Sequence, residues 1–217
     1  MQNSETVSAR RSTIDEWTEA LAESTGSPGG GAASGVMLAI AYGLTSMVAG
    51  YTQLDGDLAR ECAELRERAR AGRETALRLA DQDAAASESF GSAFRLERGK
   101  QREDAIRDAS VEAARASAAL GKQGTDVVSD LEWLTRHGNP ALIADVAVAC
   151  GALRAAIAGA RTNISFDLGS LTSSGESLSD VRKRHPVLWE TVEELDAVLA
   201  RIDRLSDEIE GHATPTT

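Results

Sequence analysis

Aromatic side chains make up only 4% of this 217-residue sequence, and that scarcity is the first constraint on its fold. β-Strands favour aromatic and β-branched residues, so a chain dominated by alanine, leucine and glycine is expected to pack helices closely. Cysteine is almost missing: Cys62 and Cys150 are the two present, and they do not stand at metal-ligand spacing. This argues against a disulfide scaffold or a zinc site and for two reduced thiols of a cytoplasmic protein. Basic charge is also short. Lys and Arg number 23 against 34 Asp and Glu, for a formal net charge of -11. General nucleic-acid binders and anionic-membrane binders need a basic surface to neutralise phosphates, so neither class of partner is expected. A local cluster of Arg and Lys could still hold a small carboxylate ligand. Residues 1–12 are polar, so no signal segment is expected there.

Charge vanishes altogether between Glu23 and Asp55. Ala32–Gly50 is long enough to cross a bilayer. It is nevertheless rich in Gly, Ala, Ser and Thr, holds no Phe or Trp, and lacks flanking Lys or Arg. A small-residue helix buried by neighbouring helices is the better reading, and no membrane span is expected.

What is present reads as helix throughout. Thr13-Ile14-Asp15-Glu16 has the pattern of a capping box and opens a helix to about Ser24. Thr25–Gly31 breaks it, and a core helix is expected from about Ala32 to Thr52. Asp55-Gly56-Asp57 turns the chain into a long amphipathic stretch over residues 58–96, with Leu58, Cys62, Leu65, Ala69, Ala76 and Leu79 on one stripe. Residues 102–137 are expected to be helical, with a break near Gly121 and Gly124. Gly138-Asn139-Pro140 stops that helix and starts another over 141–163. A loop is expected near Ser170–Gly175, then helix over 176–210 interrupted at Pro186. The fold class is therefore all-α: one antiparallel multi-helix bundle of about six to eight helices. Its expected bounds are residues 12–210, between a flexible N-terminus of residues 1–11 and a disordered tail of residues 211–217.

Several catalytic constellations are missing. His137, His185 and His212 do not fall at metal spacing, and there is no nucleophile elbow or phosphate-binding loop. Pro28-Gly29-Gly30-Gly31 is not a phosphate loop by motif. Three glycines before a helix still free the backbone to approach a ligand and leave first-turn N–H groups pointing at it. A plain flexible turn accounts for the same residues. Asp83 and Asp145 stand in apolar surroundings, where a carboxylate must be paired, hydrogen-bonded or raised in pKa, and the last case suits a general acid or base. Structural carboxylates meet the same description, and favourable helix-dipole placement alone could account for Asp145. Arg95, Arg98, Lys100 and Arg102 form the densest basic cluster, either an exposed helix end or a carboxylate-binding patch.

Three segments, Thr13–Trp17, Ser27–Ser34 and Met47–Thr52, occur in the order and spacing of one family. They resemble the C-terminal domain of formiminotransferase-cyclodeaminase and its free-standing bacterial methenyltetrahydrofolate cyclohydrolase relatives. The Asp83 segment is similar to that family's Asp-x-x-Ala motif. Gly138-Asn139, Asp145 and Asn163 fall where the family has Gly-Asn, Ser-Asp and Asn-Val. The resemblance spans residues 12–205, and 217 residues do not hold the transferase half as well. The chain departs from the pattern in three places: Ser87 stands where Phe or Tyr is usual, Glu112 replaces a common proline, and Asp167 replaces a second asparagine.

The resemblance implies a cytoplasmic tetrahydrofolate one-carbon enzyme, a homodimer or higher oligomer, with the folate site near a subunit interface and a separate formiminotransferase as partner. As a cyclodeaminase it would convert 5-formiminotetrahydrofolate to 5,10-methenyltetrahydrofolate and ammonia. As a cyclohydrolase it would open the methenyl ring to 10-formyltetrahydrofolate. Neither reaction needs a metal, and both need a carboxylate to move a proton. Asp83 is implied for that role, with Asp145 as a second catalytic candidate or an orienting partner. Pro28, Gly29, Gly30, Gly31, Ser34, Asn139 and Asn163 are implied as the substrate-binding set. A diverged paralogue acting on a related formimino or formyl substrate is the next reading, and a non-catalytic helical scaffold the last.

Overall fold

The computed structural model describes residues 7–23, 26–173 and 177–213, and among these there is no strand. The helices are α1 (Ile14–Ala22), α2 (Gly30–Tyr51), α3 (Gly56–Phe94), α4 (Lys100–Gly124), α5 (Val127–His137), α6 (Ile143–Ser173), α7 (Leu178–Arg184) and α8 (Pro186–Ala213), with a 3-10 turn at Pro140–Leu142 before α6. The capping box opens α1 as its residues dictate. The Thr13 N–H donates to Glu16 Oε2 at 2.8 Å, and the Glu16 N–H donates to Thr13 Oγ1 at 3.2 Å.

Four helices make the core. α2 packs on α3, α3 on α4, α4 on α6, and α6 returns to α2, so the four close a ring with antiparallel neighbours. The long α8 lies against the outside of α6, where Arg154 pairs with Asp203 and Arg161 with Asp196 at 2.5 and 2.8 Å. Small residues decide how closely the ring closes. A Cβ added to Gly35 of α2 would stand 2.7 Å from Ala80 Cβ of α3, and one added to Gly124 would stand 2.6 Å from Ile157 Cδ1 of α6. Tyr42, one of few aromatics, is buried against Gly72, and its hydroxyl donates to the Gln123 carbonyl at 2.6 Å. With no charge along its length, α2 can be covered by helices on several sides, and Leu38, Ala41, Thr45 and Val48 are essentially sealed. Burial of this kind accounts for the apolar run that could have spanned a bilayer.

The stretch 102–137 breaks at Thr125 and Asp126, near Gly124 as expected. Three other expectations change. α6 runs to Ser173, well beyond Asn163, so most of the loop placed at 170–175 is helical, while residues 174–176 lie outside the described residues. Ser8 and Ala9, within the segment 1–11 taken as flexible, are tied to α3: Ser8 Oγ donates to Asp81 Oδ2 at 2.8 Å and the Ala9 N–H to Asp81 Oδ1 at 2.6 Å. At the other end α8 continues to Ala213, and residues 214–217 of the expected tail are outside the described ones. Pro186 opens α8 as its first residue, which is where a proline fits a helix without losing a hydrogen bond.

Candidate active site

At one end of the four-helix ring, each helix turns one or more residues toward a common cavity of about 200 Å³. The buried stripe of α3 runs through Cys62, Leu65, Ala69, Gly72, Ala76 and Ala80, and its next member is Asp83. Leu58 and Leu79 fall off that stripe, Leu58 exposed and Leu79 outside the buried set. The same α3 face then carries Ser87 and Phe90 into the cavity wall, at the i+4 and i+7 positions from Asp83. α6 contributes Asn163, Phe166 and Asp167, again neighbours on one face. α4 gives Ala113 and Ser117, and α2 gives Gly30 and Gly31.

Asp83 sits in the tightest part of this arrangement, only 4% exposed. Its carboxyl group docks on the first turn of α2, where the Ala32 N–H donates to it. A Cβ on Gly31 would overlap both carboxyl oxygens, so glycine at 31 is what lets the carboxyl reach the helix end. That end is the positive pole of the α2 dipole and leaves N–H groups unpaired within the helix. Ser117 Oγ stands 3.5 Å from Asp83 Oδ1, a long contact. Burial pushes the Asp83 carboxyl above the ordinary carboxylate range, while the Ser117 and Ala32 hydrogen bonds act against that rise. Asp167 is affected more: burial, and then the charge of Asp83, raise it to about 7. Among the described residues, no Lys, Arg or His lines the cavity.

The substrate-binding set divides. Gly30, Gly31 and Asn163 line the cavity with Asp83. Gly29 caps α2 from outside the lining, and Pro28 is buried behind it. Ser34 lies one layer beneath, donating to the Gly30 carbonyl at 2.9 Å and filling the space left by Gly159 of α6. Asn139 and Asp145 are not brought to this cavity. Asn139 caps the 3-10 turn, its side chain accepting from the Ala141 N–H at 3.0 Å and its N–H donating to Thr52 Oγ1 at 3.1 Å. Thr52 follows the far end of α2, a helix of 22 residues. At the rise of an α-helix, that length sets Asn139 roughly 30 Å from the Gly31 end. Asp145 occupies the first turn of α6, separated from Asn163 by about five helical turns. Its carboxylate complements that helix start, as the dipole reading allowed, and does not join Asp83 within the chain. The basic cluster is also outside: Arg95, Arg98 and Lys100 are exposed at the α3–α4 turn, and the Arg102 guanidinium sits 5.7 Å from the Phe94 ring centroid.

Ser117, Phe90 and Phe166 were not singled out from sequence, and Asp167 was noted only as a departure from the family pattern. Extending the α3 stripe past Asp83 would have found Phe90. Continuing α6 past Asn163 would have found Phe166 and Asp167. Both cysteines are buried; burial lifts Cys150 to about 11 and raises Cys62, leaving two unreactive thiols. Among the described residues no group of three or more His, Cys, Asp and Glu is placed to hold a metal ion.

A helical ring that closes over a small cavity, with carboxyl groups from two facing helices and no Lys, Arg or His among the described lining residues, is an arrangement able to move protons in a bundle core. The sequence pattern of the formiminotransferase-cyclodeaminase family matches residues 13–184, and the chain belongs to that family. Among solved structures, it is similar to formiminotetrahydrofolate cyclodeaminase from Thermotoga maritima, with 26% identity and a TM-score of 0.80 over 94% of this chain and 99% of that one. No curated protein sequence matches it. Family and fold together indicate a cyclodeaminase-like folate enzyme.

Proposed function

We propose that the protein is a cytoplasmic formiminotetrahydrofolate cyclodeaminase that uses Asp83 as its proton-transfer group. The observation that carries this reading is the Asp83 carboxyl, buried on the Gly31 end of α2 in a cavity where no described lining residue is Lys, Arg or His. N10 of 5-formiminotetrahydrofolate attacks the formimino carbon and gives up its proton, and the formimino nitrogen, carrying that proton and one more taken from solvent, leaves as ammonia as its bond to carbon breaks. A carboxyl raised by burial is suited to accept that proton near neutral pH. The 5,10-methenyl product carries a formal positive charge, which a cavity lined by carboxyl groups and, among the described residues, no Lys, Arg or His favours.

The cavity is smaller than the range of about 300–1,000 Å³ usual for whole ligands, so it suits the reacting end of the folate and not its tail. Asn163 would hydrogen-bond the pterin, with Phe90 and Phe166 against its rings. Asp83 and Arg95 are about three helical turns apart along α3, a rise of roughly 18 Å. The Arg95, Arg98, Lys100 and Arg102 cluster is therefore within reach of the glutamate tail. Self-association is part of the proposal. α2 and α6 pack side by side and leave Ile40 50%, Val148 60% and Phe166 77% exposed, and Phe166 also lines the cavity. A second copy covering this face would complete the wall that a single chain leaves open.

The test is direct. Purified protein given 5-formiminotetrahydrofolate should release ammonia while the absorbance of the methenyl form grows, and Asp83→Asn should lower kcat by about 10²–10⁴-fold. Ring-opening of 5,10-methenyltetrahydrofolate without deamination would replace the cyclodeaminase reading with the cyclohydrolase one. Turnover of neither substrate beside an active control enzyme would end both. A loss of less than about tenfold in Asp83→Asn would remove Asp83 from the proton-transfer role.

A further inference from the structure

The cavity contains a second carboxyl group for which neither the family match nor the proposed reaction has a use. Asp167 stands one helical turn beyond Asn163 on α6 and faces the same space as Asp83 on α3. The two are not equivalent. Asp83 accepts the Ala32 N–H and has Ser117 beside it, both of which favour its charged form. Among the described residues no hydrogen-bond donor reaches the Asp167 carboxyl. Its backbone carbonyl is the part held, with Ser170 Oγ at 2.7 Å, and that hydroxyl also lies 2.9 Å from Ser110 Oγ of α4. Among the described residues, the other elements bring no titratable group to the cavity: α2 contributes Gly30 and Gly31, and α4 contributes Ala113 and Ser117. Two like charges in one small, partly desolvated space are costly, and a pair of this kind holds one proton between its members. The hydrogen bonds place the negative charge on Asp83 and leave the proton with Asp167, in line with the value of about 7 to which burial and Asp83 lift it.

We propose that Asp167 is a second acid–base group of this cavity, holding the proton that Asp83 lacks and delivering it to the departing nitrogen. The proposal rests on the cyclodeaminase reading and specifies the form of substrate taken: the protonated, amidinium-type formimino group. N10 attacks the amidinium carbon, the N10–carbon bond forms as the carbon–nitrogen double bond becomes single, and Asp83 takes the N10 proton to give a neutral tetrahedral intermediate whose carbon bears three nitrogens. Asp167 then protonates the amino nitrogen. Its bond to carbon breaks with the electron pair leaving on ammonia, and the lone pair of a ring nitrogen forms the methenyl carbon–nitrogen double bond. One cation enters and one leaves. Asp83 ends protonated and Asp167 ionised, and proton return from Asp83 to Asp167 resets the pair.

The test compares wild type with Asp167→Asn, nearly the same shape without the proton, and with Asp167→Glu. Wild-type kcat should fall on the alkaline side of neutrality as the acid is lost. Asp167→Asn should lower kcat at least about tenfold and abolish that alkaline limb, and Asp167→Glu should restore it. Circular dichroism establishes that each variant is folded. Independently of turnover, infrared spectra of the free protein at about pH 6 should contain a protonated-carboxyl band that persists in Asp83→Asn and disappears in Asp167→Asn. Wild-type kcat with an unchanged alkaline limb in folded Asp167→Asn would overturn the delivery step. Absence of the band from wild type would overturn the shared proton. If wild type does not turn over 5-formiminotetrahydrofolate, the cyclodeaminase reading and the delivery step fall together, and the band alone decides whether the pair holds a proton.

Discussion

Gly31 and Asp83 meet so closely that neither position can be considered alone. A methyl group at Gly31 would occupy the space of the carboxyl oxygens, so Gly31→Ala must displace Asp83 or the start of α2. Overpacking of this kind costs about 1–3 kcal/mol. Gly31→Ala should therefore lower the midpoint of thermal unfolding and reduce kcat together, whereas Gly30→Ala, with nothing within 4 Å of an added Cβ, should leave stability nearly unchanged. Asp167 makes a separate prediction through proton linkage. Its carboxyl lies near 3.8 in the unfolded chain and at about 7 in the fold. Between those values the folded state holds a proton that the unfolded state has released, so stability falls as pH rises through this window. Asp167→Asn lacks that proton. The variant should gain thermal stability relative to wild type as pH is raised from about 5 to about 8, measured by unfolding scans at matched ionic strength. A constant difference across the window would refute a raised Asp167.

At the scale of helices, α2 and α3 approach closely where side chains are missing, at Gly31, Gly35 and Gly72, and Gly35 is the one that meets backbone and Cβ atoms of its neighbour. Gly35→Ala brings a methyl to 2.7 Å from Ala80 Cβ. That overlap should cost about 1–3 kcal/mol in urea unfolding, offset in part by the better helix propensity of alanine. A Gly35→Ala protein more stable than wild type would mean that α2 and α3 stand further apart than this contact requires. The helices themselves were largely legible before the structure, because Thr13–Glu16, Asp55–Asp57 and Gly138–Pro140 mark their ends with residues whose local chemistry stops or starts a helix. What could not be read was how far α6 continues. Ser165, Asp167 and Ser170 weaken its helical signal, and α4 and α8 packing against it carries the helix through them. Stopping at Asn163 hid Phe166 and left Asp167 without a place on the cavity face. Asn139 and Asp145 are motif positions of the family that the length of α6 keeps apart from Asn163 and Asp83 within one chain, a separation that follows from the helical rise once the extent of α6 is known. Asp83, lying on the buried stripe of its own helix, needed no tertiary information.

The molecule as a whole combines strong net charge with an uncovered apolar face. A formal charge of -11 opposes association of two copies, while α2 and α6 expose Ile40, Val148 and Phe166 along helices that carry little charge of their own. The carboxylates of α8 are drawn to the other side of α6, where Arg154 and Arg161 hold Asp203 and Asp196, which leaves the α2–α6 face free of them. Association through that face should then be driven by apolar burial and resisted by repulsion at long range. Salt screens the second term more than the first, the screening length falling from about 30 Å at about 0.01 M to about 10 Å at about 0.1 M. Sedimentation velocity should accordingly show a tighter dimer as ionic strength rises through this range. Val148→Asp, which adds a charge to an exposed position and removes nothing from the core, should shift the equilibrium to monomer without lowering the monomer's helix content by circular dichroism. If a second copy covers this face as proposed, the same variant should also lose turnover, since Phe166 joins the face to the cavity. A Val148→Asp monomer with wild-type kcat would separate assembly from catalysis and leave the single-chain cavity as the complete site.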